Sequence, residues 1–262
     1  MLFVGHGFSG HSLLGSLLDA HPDAVVSHEL DVLRFLRQGL RRQQLLGLIR
    51  YRQRSWNGVQ NSYSYDVPGQ WQGRVRRLRV IGDKKGGGTT WQLADDPALL
   101  QRLRDEIGLP LRVVHVTRNP LDNIGSMVKT MGYTPEQATS IWRRQTETCT
   151  WLHGELAPEE LHLVSTESVK ADPYARLADL CGFLGLEAEP EYLVACARLV
   201  DPDPSRSRSV VDWPSDLLAE VCAVTAANPF LHGYLEELGV AVPAQAQSWP
   251  SSAASASSNV PA

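Results

Sequence analysis

Cysteine is scarce: the 262 residues hold four, Cys149, Cys181, Cys196 and Cys222, with no C-x-x-C pair and no histidine at ligand spacing. A disulfide framework and a zinc knuckle are excluded as organising devices, and the thiols read as small core residues in a reducing compartment. No apolar run approaches the roughly eighteen residues of a membrane span, and Leu2 to Val4 is too short for the apolar stretch of a secretory signal. A cytoplasmic location, without membrane contact, is the expectation. Acid is missing from one long stretch: residues 34 to 79 carry eleven arginines (34, 37, 41, 42, 50, 52, 54, 74, 76, 77, 79) and one acid, Asp66. The whole chain has a net charge of −4, so the remainder is distinctly acidic. With that balance and no base-reading motif, nucleic acid is not the expected partner.

What is present starts with the first sixteen residues. An apolar run, Leu2-Phe3-Val4, breaks into a glycine-rich turn, and leucines 13, 14, 17 and 18 then recur at helical spacing from Ser12 to Ala20. The spacing Gly5-x4-Gly10-His11-Ser12 copies the phosphate-binding loop G-x-x-x-x-G-K-[ST], except that His11 stands in the place of the lysine. Glycines and the unpaired N–H groups of a helix start still suit an oxyanion, so Gly7, Phe8, Ser9, Gly10, His11 and Ser12 are its candidate ligands. The ammonium that would reach the β- and γ-phosphates of a triphosphate is gone. That disfavours triphosphate chemistry.

Four further strands follow, near 24–28, 78–82, 111–117 and 161–165, in addition to 2–5. Helical patterns cover 30–58, 89–103, 121–130, 134–156 and 167–186. Strands alternating with helices predict an α/β fold with a mostly parallel central sheet flanked by helices. In such sheets ligands sit beyond the carboxyl ends of the strands. His28 and Glu29 end the second strand, on opposite sides by period-2 alternation. Lys84 and Lys85 follow the third, beside Gly86-Gly87-Gly88, where they are placed to meet an anion. The fourth ends in Arg118-Asn119-Pro120 where a Walker B strand would end in a metal-holding aspartate, and Ser126 lies eight residues on. A guanidinium and a hydroxyl suit a phosphate dianion.

Phe8-Ser9-Gly10-His11-Ser12-Leu13-Leu14, Leu18-Asp19-Ala20-His21-Pro22 and Ser27-His28-Glu29 together resemble the opening of sulfotransferases that depend on 3′-phosphoadenosine 5′-phosphosulfate (PAPS). The resemblance is strongest to the branch of tyrosylprotein sulfotransferases and their bacterial relatives. It extends through Arg118-Asn119-Pro120-x5-Ser126 and Asp172-Pro173…Phe183-Leu184-Gly185, so it spans residues 1 to roughly 235. It implies that the first loop holds the 5′-phosphosulfate, that Glu29 or its neighbour His28 is the general base, and that Lys84 or Lys85 contacts the transferring group. It also implies that Arg118 and Ser126 bind the 3′-phosphate, and that a late polar loop, here with Arg206 and Arg208, folds over the nucleotide. The product would be adenosine 3′,5′-bisphosphate (PAP), with no metal required.

The chain is therefore expected to form one domain over 1–240, with 30–77 as a basic segment on the acceptor side and 241–262 as a disordered Ala/Ser/Pro tail. The expected activity is sulfuryl transfer to a hydroxyl of a small or carrier-presented acceptor, one attracted, if acidic, by the arginine surplus. Neither the identity of the acceptor nor the oligomeric state follows from the sequence. Two other readings stay open: an atypical phosphotransferase, and a nucleotide-binding module without transfer.

Overall fold

The computed structural model describes residues 1–241 apart from Asn57, Asn61, Ser62 and Ser205, and the backbone alone of Gln60. The expected Ala/Ser/Pro tail, from 242 on, lies outside the described residues. The central sheet consists of β1 (Leu2–Gly5), β2 (Ala24–His28), β5 (Val80–Lys84), β6 (Val113–Thr117) and β7 (Leu161–Ser165), in the order β2-β5-β1-β6-β7. Every pairing in it is parallel. A two-stranded antiparallel ribbon, β3 (Val59–Gln60) with β4 (Tyr63–Ser64), stands apart.

Helices cover both faces, and the strands' alternation sorts their side chains between two cores. Leu2 and Val4 of β1 pack with Val25, Leu33, Leu45, Leu99, Leu103 and Val113. Phe3, between them, packs on the other face with Leu14, Leu17, Val26, Val114, Val116 and Leu180. This is the two-sided burial expected of parallel strands. The first core is closed by α2 (Val32–Arg37), α3 (Arg42–Ser55), α4 (Gly87–Asp95) and α5 (Ala98–Ile107). The second is closed by α1 (His11–Asp19), α8 (Thr166–Ala171), α9 (Pro173–Leu184) and α10 (Pro190–Ala197). A third cluster around the buried Trp142 joins α6 (Pro120–Met131), α7 (Pro135–Glu155), α11 (Ser215–Ala227) and a 3₁₀ turn at Pro229–Tyr234.

The predicted elements are present with local corrections. The helical pattern over 30–58 divides at Gly39, whose φ of +88° ends α2; the pattern over 89–103 divides at Asp96-Pro97, and that over 167–186 at Asp172-Pro173. In both proline cases the ring removes an N–H and bars the preceding residue from helical geometry. The third strand begins two residues later than 78–82. Leu78 is exposed, and the N–H groups of Arg79 and Val80 both reach the carbonyl of Asp23 before pairing starts. The shift makes Lys84 the last residue of β5, in register with His28. It is therefore a sheet residue rather than a loop residue.

Candidate active site

The β1–α1 loop is built on backbone shapes that few residues tolerate. Gly5 has φ +131°, and a Cβ there would come within 2.4 Å of the Val116 carbonyl oxygen; Phe8 and Gly10 follow in the left-handed region, at +64° and +78°. Surrounding side chains hold the loop from behind. The Thr90 hydroxyl donates to the Gly5 carbonyl and accepts from its N–H (2.8 and 2.9 Å), and Asn123 Nδ2 donates to the Gly7 carbonyl and to Ser9 Oγ (2.7 and 2.9 Å). Thr166 Oγ1 donates to the Ser9 carbonyl at 2.7 Å. Among the described residues no side chain caps the start of α1, and no acid lies in its first turn, so its positive dipole end favours an anion.

His11 does not replace the absent lysine. Its ring turns under the loop, and Nε2 donates to the Val4 carbonyl at 3.0 Å. Burial lowers its pKa to about 4, so it is neutral. Gly86 packs against it so closely that a Cβ would lie 2.5 Å from His11 Cγ. His11 thus serves the loop through its backbone and its packing.

The cation comes from β5. Lys84 is 2% exposed, and its Nζ donates to Ser12 Oγ at 2.9 Å and to Glu29 Oε1 at 3.0 Å, with His28 Nε2 at 3.4 Å. Its stem lies across α1 at Gly15, where a Cβ would meet Lys84 Cγ at 2.7 Å. Burial lowers the Lys84 pKa, against the opposing pull of the Glu29 carboxylate. Lys85 Nζ stands 3.5 Å from Glu29 Oε2 at the more open edge. Strand alternation put Glu29 and His28 on opposite sides, but Glu29 has φ +55° and Asp31 +66°. The chain leaves the sheet in a left-handed turn there, so both side chains meet the same lysine.

The basic segment supplies the frame for His28. From α3, Arg52 Nε donates to the His28 carbonyl at 3.1 Å and Gln53 Oε1 accepts from the His28 N–H, also at 3.1 Å. Gln53 Nε2 donates in turn to the buried Asp19 at 2.6 Å. Trp56 lies flat on the His28 ring, centroids 3.9 Å apart and planes within 7°. Several arginines are spent on the chain itself: Arg41 on Glu106 (2.9 Å), Arg76 on Asp23 (3.1 Å), and Arg74 on the Trp71 ring (5.4 Å). Arg50 and Arg54 are exposed on α3, beside the 72% exposed Tyr51.

At the other end of the loop, Arg118 Nη1 donates to the Phe8 carbonyl at 2.7 Å and to Ser126 Oγ at 3.0 Å. The two residues named from the strand-end pattern are thus together, against the loop. Burial lowers the Arg118 pKa, opposed chiefly by Asp122 and Glu167. Ser207 joins them, 2.9 Å from Ser126 Oγ and 3.3 Å from Arg118 Nη2. It sits there because residue 125 is glycine: a Cβ would fall 2.3 Å from the Ser207 carbonyl oxygen. Arg206 is exposed, whereas Arg208 pairs with Asp122 at 2.7 Å and Glu237 at 3.1 Å. Arg208 fastens the late segment to α6, and the hydroxyl of Ser207 is what that segment brings to Arg118.

Asn123, Thr90, Thr166 and Ser207 were not read from the sequence. Each is a common polar residue whose role comes from the fold bringing it to the loop or, for Ser207, to Arg118 and Ser126.

The structure superposes over 92% of its length on the sulfotransferase domain from the curacin biosynthetic pathway, covering 98% of that domain, with a TM-score of 0.57 and 18% identity. The sulfotransferase domain of the Synechococcus PCC 7002 olefin synthase matches over 92% of this chain and 94% of its own, with a TM-score of 0.57 and 17% identity. A sulfotransferase from Alicyclobacillus acidocaldarius matches over 90% and 95%, with a TM-score of 0.52 and 18% identity. No protein-family model matches the sequence, and no curated protein matches it. The chain has the sulfotransferase fold, as the resemblance in its motifs predicted.

Proposed function

We propose that the protein is a sulfotransferase that moves the sulfuryl group of PAPS to an acceptor hydroxyl. One observation carries the reading: a single loop is flanked at one end by Lys84, Ser12 and Glu29, and at the other by Arg118, Ser126 and Ser207. Two separate cationic sites on one loop suit a donor with two separate anionic groups. The donor set fits. Hydroxyls and charged nitrogens are the donors from which phosphate and sulfuryl oxygens accept hydrogen bonds, and a Cβ at Gly7 would meet no described atom within 4 Å, so the loop is open on that side.

PAPS, when bound, supplies the sulfuryl group and keeps the electron pair of the broken S–O bond as PAP. The chain's residues do the rest. Arg118, Ser126 and Ser207 hold the 3′-phosphate and fix the donor's register. The α1 N–H groups, Ser12 and Lys84 stabilise charge on the sulfuryl and bridging oxygens. Glu29 takes the acceptor proton, because its carboxylate is open to the acceptor side, whereas the His28 ring is buried under Trp56. His28, fixed by Arg52, Gln53 and Trp56, orients the acceptor hydroxyl beside it. Lys85 screens the entrance. The acceptor, or a carrier presenting it, is acidic and is drawn to the exposed Arg50 and Arg54.

The test is transfer of sulfur-35 from labelled PAPS into a panel of aliphatic and phenolic alcohols, free and carrier-bound. Label in an organic sulfate supports the reading. Phosphoryl transfer from ATP in its place would support a phosphotransferase.

A further inference from the structure

The left-handed turn that carries Glu29 back onto Lys84 has a cause in a residue that the proposed mechanism does not use. Asp83, the β5 residue before Lys84, is fully buried. Its Oδ1 accepts from Ser27 Oγ at 2.8 Å and from the Leu30 N–H at 3.0 Å, and its Oδ2 accepts from the Val32 N–H at 2.9 Å. The Asp31 N–H also points to this carboxylate. Three successive N–H groups therefore wrap one carboxylate, and the wrapping is what the φ values of Glu29 (+55°) and Asp31 (+66°) accomplish. Neither residue is glycine, so the left-handed geometry is disfavoured locally and persists because the surroundings impose it. The Glu29 N–H closes the arrangement from the other side, donating to the Lys84 carbonyl at 2.9 Å.

We infer that Asp83 is a positioning residue: by gathering the N–H groups of residues 30 to 32 it sets the turn that aims the Glu29 carboxylate at Lys84 and Lys85. The inference rests on the reading of Glu29 as the base. Asparagine cannot replace the aspartate. It has one accepting oxygen, and its NH₂ would face the N–H of either Leu30 or Val32. Freed from the carboxylate, the turn relaxes toward ordinary backbone geometry and Glu29 swings off the lysine pair.

A double-mutant cycle on the full chain tests this. PAPS consumption is followed under single-turnover conditions with a mixed panel of aliphatic and phenolic alcohols, for the wild type, Asp83→Asn, Glu29→Gln and the double variant, alongside calorimetric affinity for PAP. Asp83→Asn is expected to slow turnover by about 10- to 100-fold while PAP affinity stays within about threefold, because the 3′-phosphate end is untouched. The double variant is expected to be no slower than Glu29→Gln alone. Where Asp83→Asn fails to fold, Ser27→Ala removes one donor to the same carboxylate and leaves both of its oxygens in place. It is expected to slow turnover about threefold, with the same lack of additivity. Losses that multiply in the double variant, or an Asp83→Asn enzyme as fast as the wild type, overturn the positioning role and leave the base intact. A Glu29→Gln enzyme as fast as the wild type overturns the base, and the positioning role with it.

Discussion

Replacing Lys84 by methionine separates what this residue does for chemistry from what it does for the fold. Methionine keeps an unbranched stem of similar length, so the packing across Gly15 survives. It deletes the ammonium that lies 2.9 Å from Ser12 Oγ and 3.0 Å from Glu29 Oε1. On stability two effects oppose. The burial that lowers the Lys84 pKa is relieved, while Glu29 loses one partner. Glu29 is 34% exposed and retains Lys85 at 3.5 Å, so the lost pair is worth about 1 kcal/mol or less. The melting temperature should move by no more than a few degrees, about 2–4 °C per kcal/mol for a chain of this size. Turnover is a different matter. A preorganised cation at the developing charge is worth about 3–4 kcal/mol, or roughly 10²- to 10³-fold in kcat. The assay is sulfur-35 transfer from PAPS at saturating donor, paired with thermal melts and PAP titration. A Lys84→Met enzyme within threefold of wild type refutes the role assigned to this lysine. So does a loss of activity that merely tracks unfolding.

Other outcomes follow from the same geometry. Arg118→Ala should weaken PAP binding by about 1.5–3 kcal/mol, one charge-assisted set of hydrogen bonds, and leave AMP binding nearly unchanged; calorimetry with both nucleotides checks this, and equal weakening would refute it. Glu29→Gln should keep PAP affinity and slow turnover by about 10² to 10⁴, whereas a larger loss in His28→Ala than in Glu29→Gln would exchange the two roles. Reversing Arg50 and Arg54 to Glu should raise KM for an acidic acceptor, and added salt should imitate it, since screening confines the field to about 8 Å at physiological ionic strength; indifference to both would make these arginines a solvated face. In acid, burial lowers the pKa of His6 to about 3 and of His11 to about 4. The unfolded chain therefore binds more protons, and stability present above about pH 6.5 falls as pH drops, by about 2 kcal/mol per histidine between pH 6.5 and 5. Asp19, raised to about 6 by burial, works in the opposite direction over that range, by about 1 kcal/mol. Melting temperatures should still decline from pH 6.5 to 5, and a flat or rising profile would contradict the buried neutral histidines.

The parts of the fold that could be read from sequence were those set by local pattern. Short apolar runs ending in turns marked the strands, and glycine spacing marked the loop, because few residues can adopt the geometry of Gly5 and Gly10. Arg118 and Ser126 were legible as a pair because a strand end and the first turns of the next helix are adjacent in any such unit. The aim of side chains was less legible. His11 occupied the lysine's position and was read among the anion ligands of the loop, yet the Nε2 contact with the Val4 carbonyl and the packing of Gly86 against its ring turn the side chain inward. Glu29 followed strand alternation in the sequence and breaks it in the structure, because Asp83, more than fifty residues away, captures the amides that follow. The arginine surplus looked like one surface. It divides into arginines that pair with Glu106, Asp23 or the His28 carbonyl, and others, such as Arg50 and Arg54, that face solvent. Pairings of this kind span the chain and leave no periodic trace.

The most direct test of the central claim is calorimetric titration of the wild-type chain with PAP and, separately, with ATP and Mg²⁺. A loop with cationic sites at both ends predicts tight binding of PAP, with at least about tenfold preference over ATP, equivalent to about 1.4 kcal/mol. Binding of ATP as tight as or tighter than that of PAP would contradict the account.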